Sequence, residues 1–230
     1  MLDRLRFFVF LFSNIFTIPI LCVVSLIGKR HGYYRNIWCR VHVFFGGIRF
    51  EHFNKPDKNA TMYIINHRSW ADIFLTESIV TKMYKEVNFC WIAKKELMKN
   101  PIIRLLTKLF SMISVDRNGK AALLKLIKDV KKPIEEKRPI MIFPEGTRNK
   151  GDGILKFKSG AKILAEKFKL KIQPVVYVNS DYVFDTRSIR IRRDKKIKVI
   201  FLPSVDTTSE DWFEKLREDM LKVYNQYKDD

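Results

Sequence analysis

The sequence has few of the residues that mark disulfide-rich, collagen-like or linker-like chains. Only 3 of its 230 residues are cysteine, with 9 glycines and 8 prolines. Three widely spaced cysteines form neither a disulfide framework nor a zinc site, which favours a reducing compartment. Hydrophobic residues make up 47% of the chain and aromatic residues 13%, and this composition excludes intrinsic disorder. The length suits one domain with a real core.

Acidic residues are also scarce: 25 stand against 44 basic residues, and the formal net charge is +19. Such a surplus indicates an anionic partner, which is a nucleic acid, a membrane surface or a phosphorylated substrate. Most of the surplus lies in residues 94–171, with 21 basic and 8 acidic side chains. The sequence has no basic tail of the kind that binds nucleic acid. A separate basic run from Arg187 to Lys198 is typical of a strand edge, with a membrane or acidic-ligand patch as the alternative.

Charge is missing entirely from residues 7–27. About 20 such residues can cross a hydrocarbon core of roughly 30 Å. The run is long for a signal peptide and has no small-residue cleavage site, so we expect it to be retained. Because Pro19 interrupts the run and basic residues flank both ends, a full span and a broken helix in one leaflet both stay open. The heavier basic flank is C-terminal, which predicts a cytoplasmic globular part.

We therefore expect an N-terminal membrane-anchoring helical segment at 1–45 and an α/β domain at 46–230. Apolar runs alternate with amphipathic segments in the second part, which predicts a mostly parallel sheet flanked by helices. Pro174 inside an apolar run indicates an edge strand or a bulge. The predicted strands lie at 48–53, 62–67, 88–94, 111–115, 138–147, 172–178 and 197–202. The predicted helices lie at 70–81, at about ten residues from Pro101, and at 119–131, 159–168 and 209–227.

The most informative polar motif runs from Asn66 to Asp72, where a buried strand enters a helix. Active-site loops in open α/β sheets lie at the carboxyl ends of strands. On one continuous helix, His67 and Asp72 would stand about 140° apart, so we place His67 in the turn and Asp72 in the first helical turns. A carboxylate on Nδ1 leaves Nε2 free as a general base. Taken alone, His67 is equally well read as a helix cap or a surface histidine.

A second motif, FPEGTRN at residues 143–149, also follows a buried strand. Arg148 offers a guanidinium fork to a phosphate. Gly146 permits a positive φ or a close backbone approach. Glu145 cannot bind a phosphate, and we expect it to orient an arginine or the substrate. The motif lacks the glycine and lysine pattern of a P-loop, and taken alone it also fits a common turn.

Four blocks, taken in order, resemble the glycerolipid acyltransferase family, whose best-known members acylate 1-acylglycerol-3-phosphate. They are Asn-His-x4-Asp at 66–72, Asp116-Arg117, Phe-Pro-Glu-Gly-Thr-Arg at 143–148, and Pro174-Val175. Four ordered blocks are far more specific than any one of them. The resemblance covers residues 66–175 and leaves both ends of the chain outside.

The resemblance implies that His67 is the general base and that Asp72 orients it. It also implies that Arg148 and Arg117 hold the glycerol phosphate, in a loop shaped by the residues around Arg148. Lys94 is a further candidate for the anionic subsite or for the developing oxyanion. The residues assigned to substrate binding are Arg117, Glu145, Gly146, Thr147, Arg148 and Lys94.

The implied reaction moves an acyl chain from acyl-CoA or acyl carrier protein to the free hydroxyl of 1-acylglycerol-3-phosphate, giving phosphatidic acid for phospholipid biosynthesis. A thioester is already activated, so no metal or bound cofactor is expected. The expected partners are membrane lipids, a lysophospholipid and the acyl donor, and not a nucleic acid. The expected location is the cytoplasmic or inner membrane, with catalysis on the cytoplasmic side. The alternatives are another acceptor, such as glycerol-3-phosphate, and a non-catalytic protein that binds anionic membranes or nucleic acid.

Overall fold

Two helices form the N-terminal part of the protein. The structure, a computed structural model, describes residues 1–27, 31–84, 87–116 and 119–228. Helix α1 is Leu2–Ile27 and helix α2 is His31–Phe45. Within the described residues, α1 is the one helix long and apolar enough to cross a membrane, and only 11% of its most apolar window is buried in the protein. Pro19 lies inside α1 and does not end it.

One face of α1 packs against the rest of the protein. The Phe10 ring lies 5.9 Å from the Phe74 ring and 4.9 Å from the Phe184 ring, measured between centroids. Farther along, Asn14 Oδ1 lies 2.7 Å from Nε2 of the buried His42. His42 therefore links α1 to α2.

The rest of the chain builds a seven-stranded sheet in the order β1-β9-β6-β2-β5-β3-β4. All neighbours in it are parallel except β6 and β9. The strands are β1 Phe50–Phe53, β2 Met62–Ile65, β3 Cys90–Lys94, β4 Ile113–Val115, β5 Ile140–Ile142, β6 Ile172–Val178, β7 Phe184–Asp185, β8 Arg190–Ile191 and β9 Ile197–Phe201. Strands β7 and β8 pair only with each other.

Helices connect the strands and cover the sheet. They are α3 Ala71–Met83, α4 Pro101–Leu109, α5 Lys120–Glu135, α6 Ser159–Lys167, α7 Ser180–Val183 and α8 Trp212–Lys228, with a 3-10 helix at Lys95–Lys99. One apolar layer contains Leu126, Leu164 and Leu216 from α5, α6 and α8. The other contains Leu75 of α3 and Phe10 of α1. Because both faces are covered, every residue of β2 and β6 is buried, as in other parallel sheets.

The predicted edge position of the strand with Pro174 is wrong, and the basic run from Arg187 to Lys198 lies at a strand edge only in part, because Arg190 belongs to β8 of the two-stranded sheet. Strand β6, which contains Pro174, lies between β9 and β2 in the middle of the sheet. Proline is tolerated there because Gln173 Nε2 donates to the Leu202 carbonyl oxygen at 2.7 Å, in place of the N–H that Pro174 lacks. Lys198 belongs to β9, which is also internal, and its buried ammonium donates to the Tyr227 carbonyl oxygen at 3.0 Å.

The sheet order brings the two polar motifs together. Strands β2 and β5 are parallel neighbours, with Met62 opposite Ile140. Their carboxyl ends meet at the same edge of the sheet. The loop that contains His67 and the loop that contains Glu145 and Arg148 therefore leave the sheet side by side.

Candidate active site

The His67 loop is fixed by a buried carboxylate. His67 precedes α3, and Asp72 is the second residue of that helix. Asp72 is fully buried, and its Oδ2 lies 3.0 Å from His67 Nδ1. The same oxygen accepts the backbone N–H groups of Arg68 and Ser69, both at 2.8 Å. This confirms the predicted placement of histidine in the turn and aspartate in the first helical turn.

The imidazole of His67 presents its other nitrogen to a cavity. Its ring stacks on Phe143, with centroids 3.8 Å apart and planes 15° apart. The side chain is 16% exposed and lines the cavity. Because the carboxylate of Asp72 accepts a hydrogen bond, we assign the proton to Nδ1 of His67. Nε2 is then the unprotonated nitrogen and can accept a hydrogen bond. The arrangement therefore presents a fixed proton acceptor.

Glu145 ties the second loop to the first. Its Oε1 accepts the His67 backbone N–H at 2.7 Å, and its Oε2 accepts that of Leu155 at 2.9 Å. The Asn149 N–H in turn donates to the His67 carbonyl oxygen at 2.7 Å. Burial raises the pKa of Glu145 to about 7, although both N–H donors act to lower it. Glu145 thus holds the backbone of His67 and does not contact Arg148, the arginine it was expected to orient.

Arg148 is held much more loosely. Its Nη1 donates to Thr186 Oγ1 at 3.3 Å, and its guanidinium lies 5.6 Å from the centre of the Trp70 ring. Among the described residues it forms no ion pair with a carboxylate. The side chain is half-buried and lines the same cavity as His67. Most of its N–H donors are therefore available to an anionic ligand.

Gly146 and Thr147 connect Glu145 to Arg148 and also line the cavity. Gly146 has a φ of 72°, which favours glycine, and a Cβ there would lie 3.0 Å from Lys158 Cε. Thr147 is exposed. The turn thus lets the chain pass from buried Glu145 to half-exposed Arg148 within three residues.

The cavity has a volume of about 440 Å³ and extends from His67 to the N-terminal helices. Two partly exposed cations, Arg148 and Lys94, line it. Lys94 is 40% exposed, and its Nζ lies 3.0 Å from Glu96 Oε1. The walls are mostly apolar and include Asn14, Ile18, Trp38, Phe74, Trp91, Ile103 and Phe110. Such a space suits a ligand with an anionic group and a long apolar part.

The structure describes only the first residue of the Asp116-Arg117 block. Arg117, predicted to bind the phosphate, lies outside the described residues. Asp116 is exposed, and its Oδ2 lies 3.3 Å from Lys95 Nζ. It lines a second cavity of about 540 Å³, which shares Phe143 and Gly146 with the first cavity and does not include His67. Asp116 therefore shares a cavity with the turn at Gly146 and lies outside the cavity of His67.

Sequence reasoning gave no role to Arg68, although this residue anchors the His67 loop. Its guanidinium forms two bonds with Asp181, at 2.8 and 3.0 Å. It also donates to the carbonyl oxygens of Gly153 and Gly151, at 3.2 and 3.0 Å. The signal in the sequence is a cation inside a loop that enters a buried helix.

A buried ion pair at the deep end of the cavity was also missed. Glu77 of α3 lies 2.8 Å from Arg35 Nε and accepts the Trp91 Nε1–H at 2.6 Å. Both charged side chains are almost fully buried and line the cavity. The available signal was Glu77 itself, a second acidic residue beside Asp72 in the helix predicted at 70–81.

Comparison with known proteins decides the family. A family profile described as Acyltransferase matches residues 47–178. The chain belongs to the acyltransferase family. A relative from Helicobacter pylori (strain J99), named 1-acyl-sn-glycerol-3-phosphate acyltransferase, is 38% identical over 81% of this chain and 77% of its own length. A relative of the same name from Cocos nucifera is 33% identical over 66% of this chain, which spans about half (47%) of that protein.

A solved structure supports the fold of this acyltransferase. The crystal structure of the 1-acyl-sn-glycerophosphate acyltransferase PlsC from Thermotoga maritima aligns with a TM-score of 0.76. The alignment covers 96% of this chain and 93% of that one, at 19% sequence identity. The predicted family and the predicted α/β fold with an apolar N-terminal helix are both confirmed. The matched range 47–178 contains all four sequence blocks.

Proposed function

We propose that this acyltransferase moves an acyl chain from a thioester donor to the free hydroxyl of 1-acylglycerol-3-phosphate, which yields phosphatidic acid. The observation that carries the proposal is one cavity that holds both a histidine base and a cation with available donors. His67 and Arg148 line this cavity, whose walls are otherwise mostly apolar. The relatives described above carry the name of this reaction.

In the proposed mechanism, Nε2 of His67 removes the proton from the glycerol hydroxyl as its oxygen attacks the thioester carbonyl carbon. The carbon–sulfur bond then breaks, and the departing thiolate takes up the proton from the imidazolium. Asp72 stabilises the imidazolium and holds its orientation. Ser69 is not a candidate nucleophile, because its buried hydroxyl donates to the Phe184 carbonyl oxygen at 2.9 Å. Direct transfer without an acyl-enzyme fits this arrangement.

Arg148 is proposed to bind the acceptor phosphate, and Lys94 to assist from the same cavity. Arg117 is assigned to the same phosphate on the sequence block alone. Gly146 and Thr147 shape the turn that presents Arg148. The partial exposure of both cations beside mostly apolar walls supports this assignment, since the acyl part of the lipid can then lie against those walls.

Residues 1–45 are proposed as the membrane anchor and 46–230 as the catalytic domain. The face of α1 that packs on the protein includes Phe10, Leu21 and Ser25, so the contact runs along most of the helix. A helix held along its length against a charged domain favours insertion into one leaflet over an isolated span. The apolar residues exposed on its other face include Leu5, Phe8, Phe12, Phe16, Ile20 and Val23. The basic residues that follow α1 in the sequence favour the cytoplasmic side.

One assay tests acceptor, donor and class together. The purified chain in neutral detergent is given labelled acyl-CoA or acyl-loaded acyl carrier protein with each of several acceptors. These are 1-acylglycerol-3-phosphate, glycerol-3-phosphate, a lysophospholipid with a larger headgroup, and an amine-bearing lysolipid without phosphate. We expect phosphatidic acid from the first acceptor, with the highest kcat/KM of the panel. Equal turnover of the lipid without phosphate would overturn the assigned acceptor, and no transfer to any of them would overturn the reaction.

A further inference from the structure

A basic cavity lies on the other side of the helix pair α2 and α3 from the catalytic cavity. Its volume is about 560 Å³. Three cations line it: Arg40 from α2, Lys82 from α3 and Arg193 from the segment before β9. None of its lining residues belongs to the cavity of His67. It is therefore a separate site that shares two helices with the first.

Among the residues that the structure describes, no acidic side chain neutralises the three cations that line this cavity. No carboxylate lines the cavity, and in the described part of the chain none of the three forms an ion pair. Arg40 Nη2 donates to Thr81 Oγ1 at 3.3 Å, beside Lys82. The backbone of Arg193 is held by Arg49, whose Nη1 donates to its carbonyl oxygen at 2.8 Å. Clustered positive charge in a concave surface attracts an anion more strongly than isolated surface lysines do.

Apart from Ser78 and Gly47, the remaining lining residues are apolar, and they continue into the exposed face of the N-terminal helices. They include Val43, Phe44 and Ile48. Phe44 is 79% exposed, and its neighbour Phe45, 47% exposed, lines an apolar groove with residues of α1 from Leu5 to Phe16. The cavity thus opens beside the surface proposed to enter the membrane. A soluble anion would gain nothing from this apolar rim, whereas the chains of a lipid would.

We propose that this cavity binds the phosphate of an anionic membrane phospholipid, with Arg40, Lys82 and Arg193 around the phosphate and Phe44 against the acyl chains. The site is distinct from the acceptor subsite at Arg148. It orients the protein on anionic membrane and places a lipid against α2 and α3, the helices that also line the catalytic cavity. The assignment does not depend on which acceptor the enzyme uses.

Lipid titration of the purified full chain tests the site. Native mass spectrometry in a neutral detergent counts bound phosphatidylglycerol molecules and gives a Kd for each. Each basic residue near an anionic lipid contributes about fivefold in affinity. The variant Arg40→Gln/Lys82→Gln/Arg193→Gln should therefore weaken one binding step on the order of 100-fold at low salt, and Arg193→Gln alone about fivefold. Phosphatidylcholine, which has the same chains and no net charge, should lack this step.

The matched control removes the same charge elsewhere. Lys128, Lys131 and Lys167 are exposed on α5 and α6 and line neither cavity, so their triple glutamine variant should keep the wild-type Kd. If both triple variants weakened lipid binding equally, the lipid would be attracted by the overall positive charge, and the proposed site would be overturned. Inorganic phosphate is also added at about 1 mM, roughly the scale at which simple anions bind exposed cations. Complete displacement of the lipid at this concentration would overturn the lipid assignment. Unfolding midpoints check that the variants are folded.

Discussion

The two sides of the candidate active site are built in different ways. On one side, His67, Asp72 and Glu145 are buried or nearly so, and each is held by hydrogen bonds of 3.0 Å or less. On the other side, Arg148 and Lys94 are partly exposed, and each has one side-chain partner. A proton acceptor needs fixed geometry, whereas a phosphate clamp must close on a ligand. The first side should therefore control kcat and the second KM.

The largest effect is expected from His67→Ala, which removes the base of the fixed side. General-base catalysis contributes about 10²- to 10⁴-fold, so we expect kcat to fall by about 10³-fold or more. Steady-state acyl transfer with lysophosphatidic acid measures it. His52→Ala, which removes an exposed histidine from β1, is the control and should behave as wild type. Acyl transfer near the wild-type rate by His67→Ala would remove His67 from the mechanism.

Asp72→Asn is the next sharpest test, because it keeps the shape and removes the charge. The amide can still accept a backbone N–H, but it no longer stabilises the imidazolium or fixes its tautomer. We expect kcat to fall by about 10²- to 10³-fold with KM within twofold. The exposed Asp206→Asn is the matched control. A rise in KM at constant kcat would show that Asp72 belongs to the binding side instead.

Arg148→Ala tests the adaptable side. Loss of a charge-assisted bond to phosphate costs about 1.5 to 3 kcal/mol, which corresponds to a rise in KM of roughly 10- to 100-fold. The value of kcat should change by no more than a few-fold, and Arg148→Lys should restore part of the affinity. Lys150→Ala removes an exposed cation two residues away and controls for general charge. A kcat effect without a KM effect would erase the distinction between the two sides.

Local patterns were sufficient to predict the framework of the site. The buried runs before His67 and Glu145 are strands, and they are neighbours in the sheet. The angular argument about spacing placed His67 in the turn and Asp72 on the helix, as found. Helix α5 is longer than predicted, since it continues through Pro133 to Glu135. The predicted helix covered only 119–131. Proline removes one helix hydrogen bond, but Val130 and Ile134 on either side of Pro133 pack on the core and keep the helix in place.

Contacts across long stretches of sequence were not predictable in this way. Arg68 and Asp181 are 113 residues apart, and Glu145 reaches the His67 backbone across 78 residues. Neither pair has a periodic signal, because which side chains meet depends on sheet order and loop course. The expectation that Pro174 marks an edge failed for the same reason: whether a strand lies at the edge is decided by the partners that pair with it. The sequence thus predicts most of the chemical groups of the site, and the structure adds mainly the contacts that hold those groups in place.

The smallest expected effect concerns the stability of the fixed side. Burial raises the pKa of Glu145 to about 7, whereas an unfolded glutamate has a pKa near 4.3. Between these values the folded protein holds a proton that the unfolded chain has lost, so stability falls as pH rises from about 4.3 to 7. The loss should be about 3 kcal/mol in the wild type, and Glu145→Gln should lack it. The amide of the variant faces a backbone N–H, and any cost of this contact is the same at every pH. The test therefore measures the free energy of unfolding of both proteins between pH 5 and pH 8 and compares the two slopes.

Parallel slopes for the two proteins would mean that Glu145 stays ionised when folded. The fixed side would then owe its rigidity to charge-assisted bonds on the His67 backbone, and Glu145→Gln should lower kcat as well.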